Sequence, residues 1–157
     1  IGYVHSQPPL ESLERYNPPE ITRIFDRSGN RQIAEFFSER REVVRYQDIP
    51  EHVVNAFIAI EDERFDQHFG IDFEGLGRVV MLALTGRRMQ GASTITMQVA
   101  RNIVLEDARR VASRKLKEML IALQMERDFS KEQIVTFYMN HIFLGANSYG
   151  VQAAAKA

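Results

Sequence analysis

A run with helical spacing that ends in three consecutive acids constrains this chain more than any other stretch. Residues 53–60 place apolar side chains on one face of a predicted helix, and Glu61, Asp62 and Glu63 follow directly. An ionised carboxylate resists burial unless it is paired or hydrated. The pattern therefore indicates that Glu61 and Asp62 lie at the edge of a cleft, or that they form a solvated helix end.

The composition indicates an ordinary folded domain. The 157 residues can bury a single core, and 45% of them are apolar while 26% are charged. The net charge of −1 gives no field that would attract nucleic acid, so we expect no nucleic-acid partner. Cysteine is absent, which excludes disulfides and thiolate chemistry. No run approaches the roughly 20 apolar residues that a membrane-spanning helix needs.

Turn and strand signals place a small β element near the start of the chain. Residues 1–20 are rich in proline and polar residues, and we expect an extended lead-in that follows a removed membrane anchor. Residues 21–26 and 32–37 are β-prone and flank a turn at Gly29-Asn30, which predicts a hairpin. Residues 42–46 are expected to add a short extended piece. Residues 21–157 then form the main domain, and we expect its closing helices to follow Ala157.

The rest of the chain is predicted to be helical. Pro50 suits the first turn of the helix that ends near Ile60, and Asp72 is a candidate N-cap for residues 73–84. Further helices are expected over residues 93–102, over 107–127, from Ser130 with its capping-box Gln133, and from Val151 onward. For the helix over 107–127, the periodicity predicts a core stripe made of Ala112, Leu116, Met119, Leu120 and Leu123.

Residues 79–84 are apolar on all sides of their predicted helix. Such a segment is either deeply buried or faces an apolar phase. The loop that follows carries Arg87 and Arg88 between two glycines, where they could lie near lipid headgroups.

Two further stretches carry charged and hydroxyl groups in unusual density. Arg114, Lys115 and Glu118 share one face of a predicted helix. This face is either a solvated set of ion pairs or an anion-binding site with a carboxylate beside it. Residues 91–102 begin a helix with three hydroxyls, Ser93, Thr94 and Thr96, followed by Gln98 and Arg101 at a spacing of three. This second pattern indicates simple N-capping or a polar ligand site.

These stretches resemble, in order, the motifs of the peptidoglycan glycosyltransferases, the transglycosylase modules of class A penicillin-binding proteins and of monofunctional enzymes. Five segments of the chain carry the likeness, and the family usually has Gln where this chain has Met97. The segments are Glu61-Asp62-x-x-Phe65-x-x-His68-x-Gly70, Gly91-x-Ser93-Thr94-x-Thr96-x-Gln98-x-x-Arg101-Asn102, Arg114-Lys115-x-x-Glu118, Lys131-x-x-Ile134-x-x-x-Tyr138-x-Asn140-x-x-x-x-Gly145 and Gly150-x-x-Ala153-Ala154.

The resemblance implies a mainly α, lysozyme-like fold with two lobes and a cleft, plus the small N-terminal hairpin. It also implies polymerisation of lipid II into β-1,4-linked glycan strands by inversion, with release of undecaprenyl pyrophosphate. Glu61 is then the expected general base and Glu118 the second catalytic acid, which orients the neighbouring cations. The expected substrate-binding residues are Asp62, Ser93, Thr94, Thr96, Gln98, Arg101, Arg114 and Lys115.

The same resemblance implies partners and a location. A divalent ion, Mg²⁺ or Mn²⁺, could be held by Glu118 and Asp62, and no organic cofactor is expected. The expected partners are lipid II, the growing lipid-linked glycan, a C-terminal transpeptidase domain and divisome or elongasome proteins. The expected location is the bacterial inner membrane, with the domain on the periplasmic side and residues 79–84 against the bilayer. A glycan hydrolase of lysozyme-like fold and a non-catalytic lipid II-binding or divisome-binding module are the alternatives.

Overall fold

The computed structural model describes residues 21–37, 39–86, 91, 93–104 and 111–157. The described residues form two compact units. One contains the residues up to Arg45 together with Met139–Ala157, and the other contains Tyr46–Tyr138. Most described residues are helical, so the expectation of a mainly α fold with an N-terminal hairpin is confirmed. None of the described helices is both long and apolar enough to span a bilayer. The predicted lead-in over residues 1–20 and the pair Arg87 and Arg88 lie outside the described residues.

The first unit contains the predicted hairpin. Strands β1 (Thr22–Phe25) and β2 (Gln32–Phe36) pair antiparallel, and Thr22 is opposite Phe36. The turn uses Gly29 at a φ of 74°, a conformation that glycine adopts without strain. The Asp26 side chain closes the turn by accepting hydrogen bonds from the backbone and hydroxyl of Ser28.

The extended piece that we expected at residues 42–46 lies earlier in the chain. Strand β3 (Arg40–Arg41) pairs parallel with β4 (Ser148–Tyr149), and helix α6 (Val151–Ala155) follows. Residues 42–45 have no regular structure, and Tyr46–Asp48 form a 3₁₀ turn. After β3 the Asn140 side chain takes the place of a strand partner. It accepts from the Val44 N–H and donates to the Val44 carbonyl, both over 2.9 Å.

The second unit is helical. It contains α1 (Glu51–Glu61), α2 (Phe73–Leu84), α3 (Ile95–Val99) with its π-helical continuation Ala100–Val104, α4 (Val111–Asp128) and most of α5 (Lys131–His141). Pro50 is the N-cap residue of α1, Asp72 accepts from the Gly75 backbone at the start of α2, and Thr94 caps α3. The Ser130–Gln133 capping box forms as predicted, with reciprocal bonds of 2.8 and 3.3 Å.

The prediction of the buried face of α4 is wrong, because three of the residues expected in the core are exposed. Leu116, Leu120 and Leu123 are 59%, 46% and 36% exposed. Met119 alone of that stripe packs against a buried cluster, and the Ala112 side chain lies outside the described part. The buried face of α4 instead contains Glu118, Ile121, Ala122, Met125 and Glu126. Both faces have helical spacing, and the pattern favoured the one without acids. It does not show that Glu118 is buried against Arg114 and Lys115 of its own helix, or that Thr96 and Lys131 of other elements reach Glu126.

Candidate active site

Asp62 joins the turn after α1 to the start of α3. Its side chain is 4% exposed, and both carboxylate oxygens lie 2.9–3.0 Å from Nε2 of His68. Oδ2 also accepts the backbone N–H of Ile95 at 2.9 Å. A buried carboxylate needs hydrogen-bond partners, and these partners fix the two segments relative to each other. Asp62 therefore positions the site, and the described contacts leave it little capacity for a ligand.

Glu61, the last residue of α1, lies half-buried at the edge of a cavity of about 430 Å³. The side-chain amide of Gln98, on α3, donates to Glu61 Oε2 over 2.8 Å. The cavity is polar, and within the described chain it brings together six residues predicted from the sequence: Glu61, Asp62, Ser93, Thr94, Gln98 and Arg101. A carboxylate held by one amide, with access to a polar cavity, can accept a proton from a bound hydroxyl group.

Lys115 connects the cavity to the charged cluster of α4. Its Nζ donates to Ser93 Oγ over 2.7 Å and to Glu118 Oε2 over 3.2 Å. Ser93 lines the cavity, so a cation stands beside the cavity wall. The Lys115 side chain remains 41% exposed, and it can reach a ligand anion without losing Glu118.

Glu118 lies behind these cations and does not line the cavity. It is 2% exposed, and Arg114 Nε lies 3.4 Å from its Oε1. The Arg114 contact is an ion pair by distance but lacks hydrogen-bond geometry, since Nε is a buried donor without a bonded partner among the described residues. Glu118 therefore orients Lys115 and Arg114 from the buried side. The side chains of both cations remain partly exposed to solvent, where a ligand could contact them.

The hydroxyls of Thr94 and Thr96 bond inward. Thr94 Oγ1 donates to the Gly70 carbonyl at 2.6 Å and accepts the Met97 backbone N–H, so it is a helix cap at the cavity wall. Thr96 is fully buried, and its hydroxyl donates to Glu126 Oε1 at 2.6 Å. The structure thus places Thr96 in the interior, away from the cavity.

Met97, where the family usually has Gln, also faces the interior. It is 2% exposed and packs with Ile71 and Ala122. The amide that contacts Glu61 belongs to the next residue, Gln98, so the apolar side chain at position 97 leaves this contact intact.

Glu126, which is buried, pairs with the partly exposed Lys131, and the sequence analysis did not identify this pair as part of the site. Lys131 Nζ donates to Glu126 Oε1 and to the His68 carbonyl, both at 2.8 Å, and lies 4.4 Å from the centre of the Phe65 ring. Glu126 in turn accepts from Thr96. This group of contacts ties the turn after α1 to α3, α4 and α5. The one sequence signal was that Glu126 lies four residues after Ala122, on the helix face that proved to be buried.

The cavity wall also contains charged residues that the sequence analysis did not predict. Arg64 pairs with Glu74 and lies 3.8 Å from Asp72, and Arg78 on α2 completes the wall. Helical spacing could have indicated Arg78, which is three residues after Gly75 and four before Leu82, two other residues of the same wall.

The described residues do not fit a divalent metal ion at Glu118 and Asp62. Glu118 is engaged by two cations, and Asp62 by His68 and a backbone N–H. Among the residues that the structure describes, no three His, Asp or Glu side chains group as metal ligands. Hard cations need several free oxygen ligands, so no step of the chemistry is derived through a metal.

Comparison with known proteins agrees with this geometry. The family model described as "Transglycosylase" matches residues 29–157. Proteins named penicillin-binding protein 1A are 42% identical over 158 residues in Rickettsia prowazekii, 42% over 150 in Aquifex aeolicus and 41% over 162 in Clostridium tetani. These alignments cover 95–99% of this chain and 20% of each relative, so the chain spans about a fifth of the length of the curated relatives it matches. With its polar cavity around Glu61 and its family motifs in order, the chain belongs to the transglycosylase family.

Proposed function

We propose that this chain is a peptidoglycan glycosyltransferase domain of cell wall synthesis that polymerises lipid II into β-1,4-linked glycan. The observation that carries the proposal is the hydrogen bond between Gln98 and Glu61 at a polar cavity whose wall also contacts Lys115 through Ser93. Membership in the transglycosylase family supports the reaction class.

In the proposed reaction Glu61 is the general base. The 4-hydroxyl of the acceptor sugar attacks the anomeric carbon of the donor, and its proton passes to the Glu61 carboxylate. General base catalysis of this kind contributes typically about 10²- to 10⁴-fold. Attack from the side opposite the leaving group inverts the carbon, so an α-linked donor gives a β-linkage without a covalent glycosyl-enzyme intermediate.

Lys115 and Arg114 stabilise the leaving group in this proposal. The bond between the anomeric carbon and the diphosphate oxygen breaks, and its electron pair stays on undecaprenyl pyrophosphate. Cations aimed at developing charge lower the barrier because they interact more strongly with the transition state than with the substrate. Glu118 holds both cations in place, while Arg101 and Ser93 contribute contacts at the cavity wall.

The surroundings of the domain are part of the same proposal. Met81 and Leu84 on α2 are 67% and 80% exposed, which supports contact of this helix with an apolar phase such as a bilayer. Val79 and Leu82 line the cavity on the opposite side of α2. We place the domain at the outer face of the bacterial inner membrane. There it would act within a longer protein that has a membrane anchor and a transpeptidase domain, alongside divisome or elongasome proteins.

The test uses the full-length protein that carries this domain, labelled lipid II and detergent micelles. The wild type should produce glycan polymer, and Glu61→Gln should lose at least about 10²-fold in rate while its melting temperature stays unchanged. Glu132→Gln, at an exposed acid on α5, is the matched control. Near-normal polymerisation by Glu61→Gln would reject Glu61 as the base.

Two further measurements separate the alternatives. Release of reducing sugar from isolated glycan without lipid II would favour a hydrolase, and tight lipid II binding without polymer would favour a binding module. Addition of EDTA, followed by Mg²⁺ or Mn²⁺, tests the expected divalent ion, whose binding residues the described chain does not supply.

A further inference from the structure

Tyr138 carries a buried hydroxyl group without a partner. The residue lies on α5 with 2% of its surface exposed, and its hydroxyl has no hydrogen-bond partner among the described residues. Buried tyrosine hydroxyls are normally paired, because an unpaired polar group in the interior costs free energy. The neighbouring positions Ile134, Val135 and Met139 are apolar and buried, so an apolar ring would satisfy the packing at position 138 equally well.

The ring of Tyr138 packs beside the helix that ends in the candidate base. It meets the Phe57 ring edge-on, with ring centroids 6.1 Å apart and planes at 70°. Phe57 precedes Glu61 by four residues on α1, so the two side chains lie on the same face of that helix, one turn apart. Tyr138 therefore lies against the face of α1 that delivers Glu61.

The pKa of Tyr138 agrees with this packing. Burial raises the pKa of Tyr138, the negative charge of Glu61 raises it further, and the positive charge of Arg101 lowers it. Both of these charged residues line the cavity. The raised pKa keeps the hydroxyl protonated, so it remains a hydrogen-bond donor at any working pH.

The Glu61 carboxylate can accept another donor. Its Oε2 accepts from Gln98, and among the described residues no other hydrogen bond reaches the carboxylate. A carboxylate has about four lone-pair sites, so two donors still leave room for the proton that it removes from the acceptor sugar. The other charged groups that line the cavity around Glu61 are Asp62, Glu63, Arg64, Asp72, Arg78 and Arg101.

We propose that Tyr138 is a positioning residue for the general base, and that its hydroxyl donates to the Glu61 carboxylate once the acceptor sugar occupies the cavity. This inference rests on the proposed function. Catalytic hydrogen bonds are often unformed in a free enzyme and shorten in the complex with substrate. With Gln98 and Tyr138 as two donors, the Glu61 carboxylate is held in one orientation toward the hydroxyl from which it takes the proton.

The test is Tyr138→Phe, which keeps the ring and removes only the hydroxyl. The melting temperature should stay equal or rise, because an unpaired buried polar atom is removed. The kcat for lipid II polymerisation should fall about tenfold with an unchanged KM. The reason is that the lost charge-assisted hydrogen bond positions the general base and does not bind the substrate.

Tyr46→Phe is the matched control, at a more exposed tyrosine of the same unit, and it should change none of these quantities. Wild-type kcat in Tyr138→Phe would overturn the role of Tyr138. So would a fall in melting temperature, because it would show that the hydroxyl has a structural partner in the free protein. A wild type that makes no polymer rejects the proposed function itself, so the two failures are distinguishable.

Discussion

Gln98 Nε2 lies 2.8 Å from Glu61 Oε2, which joins the end of α1 to α3 across 37 positions of sequence. This contact fixes one carboxylate oxygen of the candidate base, which lies at the edge of the cavity. It also explains why the chain tolerates methionine at position 97, because Met97 packs in the core while the next residue performs the polar contact.

Removal of that amide should lower turnover more than substrate binding. We expect Gln98→Ala to reduce kcat about tenfold or more, because a hydrogen bond to a charged group contributes roughly 1.5–3 kcal/mol. Gln98→Glu should lower kcat at least as much, since its carboxylate cannot donate the hydrogen bond and repels the Glu61 carboxylate. Steady-state polymerisation of labelled lipid II measures both. Gln67→Ala, at an exposed glutamine of the same unit, is the control, and equal kcat in all three variants would contradict the contact's role.

Loss of the Lys115 cation should slow departure of the diphosphate. We expect Lys115→Ala to reduce the polymerisation rate at least about tenfold, since donors at a developing negative charge are worth about 10²- to 10³-fold when removed. Lys117→Ala, two residues further along α4, should leave the rate near that of the wild type. An unchanged rate in Lys115→Ala would mean that the Arg114–Lys115–Glu118 cluster is a solvated ion-pair face.

The Glu126–Lys131 pair should contribute to the free energy of unfolding. Lys131→Met leaves Glu126 buried without its cation, which costs roughly 3–5 kcal/mol for a fully buried pair. We expect a smaller loss here, because the Lys131 side chain is 29% exposed and its site is partly hydrated. The double variant Glu126→Gln/Lys131→Met should recover much of the loss, because neither charge then remains unpaired.

Urea unfolding monitored by circular dichroism measures these differences. The exposed pair Arg127–Asp128 provides the control, and Arg127→Met should leave the unfolding midpoint within error. If the double variant is no more stable than Lys131→Met alone, the pair is not the source of the effect.

The first unit should lose stability in acid through Glu42. Burial opposes ionisation of this carboxyl, but Lys156 and Arg23 outweigh it, so the pKa of Glu42 lies below its ordinary value of 4.5. A depressed folded-state pKa gives a stability contribution that is fully present above about pH 4.5 and is lost as the pH falls through the folded value.

Unfolding midpoints between pH 3 and pH 7 test this. The wild type should lose more stability in acid than Glu42→Gln, whose side chain does not titrate. Parallel pH dependence in the two proteins would show that Glu42 does not contribute to acid sensitivity.

Several local features followed from the sequence because their causes are local. The turn of the hairpin at Gly29, the Asp72 and Thr94 caps and the Ser130–Gln133 box depend on residues within five positions of one another. The order of the five motifs along the chain also indicated the family, which the family model supports, and led to Glu61 as the candidate base.

The tertiary structure alone decided which polar residues face the cavity and which are buried. Thr96 was expected at the substrate, yet its hydroxyl lies in the interior because Glu126, 30 positions away, accepts from it. Leu116 was expected in the core, yet it is exposed because the same helix buries Glu118 and neutralises it with Arg114 and Lys115. Glu126 is buried because Thr96 and Lys131, from other elements, lie within hydrogen-bond distance of it, and no periodicity along one helix contains that information.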